Sequence, residues 1–552
     1  MKGLKHFGIL ALILCLAFFP NLSEAKSAQG IKSPQKLRVD GKLTDVRGYN
    51  IEGYNYYRLR DLAKALEGKV DFSVTGDSQT ITMDRKGRYK SFKGDNVGGA
   101  RERAISKTMN VRVKGEYPVD IIEETYNIRG FNYFKLRSMG EILGFAVDYD
   151  RNKNEALITT TPSKPEKPNE VVPMPEAQKT PDIKGRVVLG NERLFTEYAS
   201  LIDGKRVGLI TNQTGVDANG VPVAEKLKAY PKTKLVALYS PEHGLDGKQE
   251  AGKYVKSYFD QKMNLPVYSL YGPTRKPSRE MLQNVDVLVY DMQDIGARTY
   301  TYISTLQNAM VAAKENNIPI VVLDRPNPLG GTIVEGFLRE TRFKSFVGID
   351  KLPMTHGMTV GELGKFFNRE IGADLTVVTM KNWTRNMVWQ DTGLPFAQTS
   401  PNIPNLESAF LYSATGSGEQ TGIGQSEYFR WVGGKNLDSN DYARRLNAAG
   451  LPGVRFIPAP KGNRGGVRLK VTDWHSFNPA RTGIYTLAIA NQMRPMNVPE
   501  CKKPYSMFYL IQGSEEIANL FRARKSPEEI VKAYEKDVNA FKAERQAYLL
   551  YK

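Results

Sequence analysis

The chain is 552 residues long, carries a formal net charge of +19 and contains only 2 cysteines and 4 histidines. At roughly 100–200 residues per domain this length implies several domains, and so few cysteines exclude a disulfide-stapled scaffold. The basic excess reports on partners rather than fold. It opens with Met1-Lys2-Gly3-Leu4-Lys5, an apolar run from Phe7 to Phe19 and the small-x-small pattern Ser23-Glu24-Ala25, which is the layout of a secretory signal peptide over residues 1–25. No later stretch approaches the roughly 20 apolar residues that a transmembrane helix needs, so a secreted protein, extracellular or cell-wall associated, is expected. For such a protein the basic charge points to anionic cell-wall polymers and away from nucleic acid. Cys15 leaves with the signal, and Cys501 is left without a disulfide partner.

An internal repeat follows. Tyr49-Asn50-Ile51-Glu52-Gly53-Tyr54-Asn55-Tyr56-Tyr57-Arg58-Leu59-Arg60 returns as Tyr126-Asn127-Ile128-Arg129-Gly130-Phe131-Asn132-Tyr133-Phe134-Lys135-Leu136-Arg137. Both copies continue into a short amphipathic helix (61–66 and 138–143) and a strand pair (70–74 with 80–83, and 146–149 with 156–160). Two copies of one β-hairpin-plus-helix unit, burying their apolar faces on each other, account for this self-similarity. The segment over 37–161 resembles the copper amine oxidase N-terminal-like (stalk) domain, an accessory module of exported bacterial envelope proteins whose name implies no copper; the segment holds no His and no Cys. Between the copies Arg85, Lys86, Arg88, Lys90, Lys93, Arg101, Arg103 and Lys107 face only Asp95 and Glu102. That excess reads as a solvated basic loop or as a patch for wall anions. Residues 162–184 form a linker rich in Pro, Lys and Glu, with an extended, semi-rigid character.

Strands and helices then alternate over 185–395. Strands are predicted at 206–211, 234–239, 266–270, 285–290, 319–323 and 375–380, with helices near 224–229, 278–283, 302–316 and 360–369. Near-continuous apolar strands separated by helical patterns imply a parallel sheet covered on both faces. Four polar clusters follow four of these strands: Thr211–Gly215, Ser240–Gly244, Asp291–Arg298 and Asp324–Pro328. Open parallel sheets bind ligands beyond the carboxyl ends of their strands. Caps and turns explain any one such cluster, but less readily all four. Beyond 395 the pattern loosens into a smaller α+β domain over 396–552, expected to close one side of the site. It includes a strand at 466–472 and helices at 482–493 and from 527 to about 548.

Several chemistries find no support. The sheet lacks GxGxxG after its first strand and the chain lacks GxxxxGK[ST], which removes dinucleotide and P-loop readings. No GxSxG elbow follows a strand. His243, His356 and His475 sit apart, none with a second His at i, i+4, so no metal and no cofactor are expected. Carboxylates remain: glycoside hydrolysis needs an acid to protonate the leaving oxygen, and usually a second carboxylate or a substrate acetamido group. Glu242, Asp291, Asp294, Asp324 and Glu419 lie in motif segments, and Glu242 stands between Pro241 and His243, where no helix turn explains it.

At these residues the chain resembles the bacterial exo-β-N-acetylmuramidase family. Ser240-Pro241-Glu242-His243-Gly244, Tyr268-Ser269-Leu270-Tyr271-Gly272, Asp291–Tyr302, Val322–Pro328, His356-Gly357-Met358-Thr359 and Ser400-Pro401-Asn402 occur in the family's order. The resemblance implies a Rossmann-like domain followed by a smaller one, with the cleft between them, and an enzyme removing terminal N-acetylmuramic acid from peptidoglycan fragments. It makes Glu242 the leading catalytic residue, with His243 and Asp291 or Asp294 tuning it. Arg298 or Arg325 would meet the lactyl carboxylate, because a planar guanidinium binds a carboxylate bidentately. Asn212, Tyr300, Asp324, Asn327, His356, Asn402 and Glu419 are the other expected substrate contacts. Where many members carry Glu-Gly-Thr-Asn, this chain has Glu419-Gln420-Thr421-Gly422, which leaves contacts in that loop open. Two other readings compete: a non-catalytic wall-binding protein, and a metal-dependent amidase or deacetylase.

Overall fold

The computed structural model describes residues 185–552 without a break. It also describes residues 27–160 except 47, 53, 68–72, 77–79, 85–98, 115–118, 137–138, 141–144 and 151–152. The expected signal segment, the Pro-rich linker and the basic residues from Arg85 to Lys93 lie outside the described residues. These fall into two compact units, divided between Asn169 and Glu170.

The described residues of the first unit form twelve strands: β1 (Ser27–Lys32), β2 (Lys36–Val39), β3 (Lys42–Thr44), β4 (Gly48–Ile51), β5 (Tyr54–Arg58), β6 (Ser73–Gly76), β7 (Thr80–Asp84), β8 (Arg101–Lys114), β9 (Val119–Ile128), β10 (Phe131–Lys135), β11 (Ala146–Asp150) and β12 (Glu155–Thr159), with helix α1 (Leu59–Ala65) after β5. One sheet runs β1-β4-β5-β10-β9-β8-β7-β6, and β1 also pairs with β8, so six strands close into a ring. The other sheet is β11-β12-β2-β3. The repeat copies meet where β5 pairs antiparallel with β10, Tyr57 opposite its counterpart Phe134. The core repeats this two-fold relation, Tyr49 lying edge-on to Tyr133 at 5.5 Å and Tyr56 edge-on to Tyr126 at 5.1 Å. Arg101, Arg103 and Lys107 were expected in a loop but lie on β8, where buried Ala104 alternates with exposed Arg101 and Arg103.

The second unit contains β13 (Arg206–Thr211), β14 (Lys234–Ser240), β15 (Tyr258–Asp260), β16 (Leu265–Ser269), β17 (Val287–Asp291), β18 (Ile320–Leu323) and β19 (Leu375–Val378). They form one sheet in the order β15-β16-β14-β13-β17-β18-β19. Every neighbouring pair is parallel except β15 with β16. The connection reverses direction between β13 and β17, which opens a crevice at their carboxyl ends. Helices α2 (Gly190–Arg193), α3 (Val223–Ala229), α4 (Arg279–Leu282), α5 (Tyr302–Glu315) and α6 (Val360–Ile371) accompany this sheet. α6 begins with a capping box of Thr359 and Glu362 and ends on Gly372 in the left-handed region, satisfying both ends locally.

The remainder of this unit has an antiparallel sheet β20-β21-β23-β22, built from β20 (Ile423–Ser426), β21 (Trp431–Lys435), β22 (Val454–Pro458) and β23 (Arg464–Val471). Its helices are α7 (Leu406–Thr415), α8 (Ser439–Ala448), α9 (Pro479–Met493), α10 (Met507–Gln512), α11 (Glu515–Arg522) and α12 (Pro527–Glu544). After α12 the chain returns to the carboxyl ends of β18 and β19. The Arg545 guanidinium donates to the carbonyls of Gly331, His356 and Gly357. The Leu550 N–H reaches Glu362, the Tyr551 hydroxyl donates to Asp324 and accepts from the Met380 N–H, and the Lys552 carbonyl accepts from the Arg385 N–H. Among the described residues no helix is long and apolar enough to cross a membrane.

Candidate active site

β14 ends at Ser240, and the chain turns at once through Pro241-Glu242-His243-Gly244. The Gly244 N–H donates to the Pro241 carbonyl, while His243 and Gly244 both take positive φ, 72° and 80°. A non-glycine residue there costs of order 1 kcal/mol and persists only where its surroundings demand it. Here the demand comes from Gln249: its N–H donates to the His243 carbonyl, and its own carbonyl lies 2.7 Å from His243 Nδ1. A carbonyl only accepts, so Nδ1 carries a proton. His243 thereby folds the 244–252 loop back over the turn, and the loop delivers the Gly252 N–H to Glu242 Oε1 at 2.9 Å. The other oxygen, Oε2, accepts from the Thr301 hydroxyl at 2.6 Å. Thr301 occupies the N-cap position of α5 without a side-chain capping bond, at the end where the helix dipole favours a negative charge.

Glu242 and His243 lie on the wall of a cavity of about 250 Å³. Tyr300, Thr301, Asn402, Tyr412, Glu419 and Phe429 share that wall. The cavity therefore draws one side from the strand ends of the parallel sheet and the other from α7 and the segments after it. Glu242 is only 7% exposed, whereas Asn402 and Glu419 are exposed at the rim. Glu242 and Glu419 are the two carboxylates on the wall. Aromatic rings supply much of the rest, Tyr300 edge-on to Tyr412 at 6.0 Å and Tyr412 against Phe429 at 4.8 Å. Burial pushes the Tyr412 hydroxyl up to about 12, so it remains a donor at neutral pH.

Phe429 reaches the wall from a segment in which Glu427, Tyr428 and Phe429 take φ values of 54°, 57° and 68°. Three successive non-glycine residues in this region hold only because neighbours fix them. Arg468 and Lys461 grip the Glu427 carboxylate, and the Thr415 hydroxyl donates to the Phe429 carbonyl at 2.8 Å.

Other expected site residues are placed differently. Asp291 is fully buried in a bidentate ion pair with Arg325, whose Nη2 also donates to the Val216 carbonyl, and Asn191 donates to the same carboxylate. Arg298 is fully buried and donates to the carbonyls of Phe337, Leu352 and Ile511; desolvation lowers it to about 9. Neither arginine lines the cavity, and each has its guanidinium committed to these buried partners. Asp324 accepts from Thr359, Gly361, Tyr551 and the Arg325 N–H, which makes it a bracket between β18, α6 and the returning C-terminal segment. Asn327 is held between the Met358 carbonyl and the Leu329 N–H, and Asn212 accepts from Thr214 in the turn after β13. Asp294 accepts from the Gly296 N–H at 2.7 Å and faces His356 Nε2 at 3.6 Å. His356 Nδ1 accepts from the Met358 N–H, so a neutral His356 carries its proton on Nε2, toward Asp294. None of Asp291, Asp294, Asp324, Asn212, Asn327 and His356 is on the cavity wall. Of the four strand-end clusters, only Ser240–Gly244 reaches it, through Glu242 and His243; Asp291–Arg298 stops short, and the wall resumes just past it at Thr299, Tyr300 and Thr301.

Sequence reasoning did not single out Thr301, Gly252, Tyr271, Tyr412 or Phe429. Thr301 and Tyr271 lie within motifs quoted above, and each interacts with Glu242. Among the described residues no group of three or more His, Cys, Asp or Glu is placed to hold a metal ion.

Residues 207–407 match the family model described as exo-β-N-acetylmuramidase NamZ, N-terminal, and residues 410–551 match its C-terminal counterpart. The chain belongs to the NamZ exo-β-N-acetylmuramidase family. It is 42% identical over 392 residues to the peptidoglycan β-N-acetylmuramidase NamZ of Bacillus subtilis (strain 168), a match covering 68% of this chain and 94% of that protein. Among solved structures it is similar to a DUF1343 family protein from Bacteroides fragilis NCTC 9343, with a TM-score of 0.60 and 38% identity, covering 67% of this chain and all of that one. A second such protein from the same organism aligns with a TM-score of 0.50 and 27% identity over 66% of this chain and 99% of its own. The matched residues contain the whole cavity wall, so the NamZ resemblance and the site coincide.

Proposed function

We propose that this NamZ family member is a glycosidase releasing terminal N-acetylmuramic acid from the non-reducing end of peptidoglycan fragments, with Glu242 as its acid and base. The supporting observation is Glu242 itself: a buried carboxylate on a cavity wall, both oxygens held by donors from separate segments, in a chain whose relative is named for this activity. In the proposed reaction protonated Glu242 gives its proton to the glycosidic oxygen as that oxygen leaves C1. The carboxylate so formed then takes a proton from the water that adds to C1. Asp291 is engaged with Arg325, which leaves Glu419 or the substrate's own acetamido group to meet the positive charge developing at C1. His243 acts through position, by holding the loop that carries Gly252.

The parallel sheet, turning at β13 and β17, we read as Rossmann-like. The first unit is proposed to be a stalk that places the enzyme among anionic wall polymers after export. Incubating the full chain with a disaccharide bearing N-acetylmuramic acid at its non-reducing end should release the free sugar, with and without EDTA. Capture without release would mark a binding protein, and EDTA-sensitive release of another product would mark a metal-dependent enzyme.

A further inference from the structure

Resting on that reading, the next question is what distinguishes N-acetylmuramic acid from N-acetylglucosamine, which differs only in lacking the lactyl ether at C3 and its carboxylate. Apart from Tyr300 and Tyr412, the ionisable residues on the cavity wall are Glu242, Glu419 and His243, two of them acids that repel a carboxylate. Arg298 and Arg325 are bound to carbonyls and to Asp291, as described above. A cation must therefore come from the border of the cavity.

Arg275 lies behind the wall and is joined to Glu242 through Tyr271. Its guanidinium lies 3.7 Å over the ring of Tyr271 and 4.4 Å over that of Phe346, inside the angle made by two rings whose centroids are 5.6 Å apart and tilted by 55°. Phe346 is anchored to α5 by the Ser304 hydroxyl donating to its carbonyl at 2.7 Å, and its neighbour Val347 is on the cavity wall. The Tyr271 hydroxyl interacts with both Glu242 and Arg275. The guanidinium and the proposed catalytic carboxylate therefore flank one phenol. Arg275 makes no ion pair among the described residues, whereas the adjacent Lys276 is tied to Glu315 at 2.6 Å. A guanidinium clamped by aromatic faces, half-buried and without an acidic partner, is a preorganised carboxylate receptor, because its plane is ordered in advance.

We infer that Arg275, held between Tyr271 and Phe346, binds the lactyl carboxylate of the terminal sugar and is the residue by which the enzyme selects N-acetylmuramic acid. The test uses full-length Glu242→Gln protein, expected to turn over its ligand too slowly to consume it during the measurement, titrated calorimetrically with 4-nitrophenyl β-N-acetylmuramide and with the same compound carrying a lactyl amide. A charge-assisted pair predicts that the acid binds roughly 10- to 100-fold more tightly than the amide. Adding Arg275→Met should abolish that preference by weakening the acid alone. Arg275→Gln carries the same expectation if the methionine variant does not fold. A preference that survives both substitutions, or an equal loss of acid and amide binding, overturns the assignment. Failure of the underlying reading is distinguishable: wild-type protein would then release no N-acetylmuramic acid from the disaccharide, which overturns both.

Discussion

Glu242 and Thr301, one at the end of β14 and the other at the start of α5, share a 2.6 Å hydrogen bond from the threonine hydroxyl to Oε2. This contact joins the two strand-end segments that reach the cavity, and it holds one carboxylate oxygen while Gly252 holds the other. Replacing Glu242 with Gln keeps the size and removes the transferable proton. Turnover of 4-nitrophenyl β-N-acetylmuramide should fall by roughly 10²–10⁴-fold with thermal melting unchanged. A folded variant retaining a large share of the activity would move the acid to Glu419.

Thr301→Val deletes the donor and keeps the shape. Loss of one hydrogen bond to a charged group, about 1.5–3 kcal/mol, should lower kcat by roughly 10- to 100-fold and leave KM nearly unchanged. Thr301→Ser should restore the rate. Equal effects of Val and Ser would show that packing, rather than the hydroxyl, matters at this position.

Arg325 is predicted to be structural. Arg325→Ala leaves Asp291 buried and unpaired, a loss of about 3–5 kcal/mol, and Arg325→Lys should rescue little because an ammonium cannot reproduce the two-pronged contact. Urea unfolding of both variants tests this. A lysine variant as stable as wild type with a raised KM would instead return Arg325 to the substrate.

Burial pushes the Asp324 carboxyl from its ordinary 3.8 up to about 7, against the hydrogen bonds it accepts from Tyr551, Gly361 and Thr359. The folded state then holds a proton that the unfolded chain releases between these two values. This group's contribution to stability falls as pH rises through that window, by at most about 1.4 kcal/mol per pH unit, and is level above it. Asp324→Asn mimics the neutral form, so its melting temperature should gain on wild type from pH 4 to pH 7. A gap independent of pH would mean that Asp324 is ionised throughout.

The two compact units each have their own core, around Tyr49 and Tyr133 in one and around Leu209 and Val289 in the other. Limited proteolysis between residues 161 and 184 should therefore yield a fragment from about 185 onward that retains full activity toward a small chromogenic substrate. Loss of activity on cleavage would show that the first unit contributes to catalysis.

The strands of the parallel sheet were legible to within about two residues because each is a near-continuous apolar run with polar residues mainly at its ends, and the repeat was legible because its core tyrosines recur at one spacing. β15 escaped notice: Tyr258-Phe259-Asp260 is three half-buried residues on the sheet's outer edge, too short to show a period. Arg298 and Arg325 were misread for a different reason. Sequence displays a guanidinium but not the carbonyls and the carboxylate waiting for it, and those partners come from segments distant in the chain. The left-handed run Glu427-Tyr428-Phe429 was also invisible, since no glycine marks it and the groups that impose it come from Arg468, Lys461 and Thr415.

The hold of residues 545–552 on Asp324, Glu362 and the carbonyls near Gly331 bears on biosynthesis. A ribosome adds these residues after every strand of the parallel sheet has been made. Until they emerge, Asp324 lacks the Tyr551 hydroxyl, Glu362 lacks the Leu550 amide, and three carbonyls lack the Arg545 guanidinium. A nascent or prematurely terminated chain therefore keeps a loosened sheet with under-satisfied polar groups. The polar groups at the carboxyl ends of β18 and β19 are fully satisfied only once residues 545–552 have joined them.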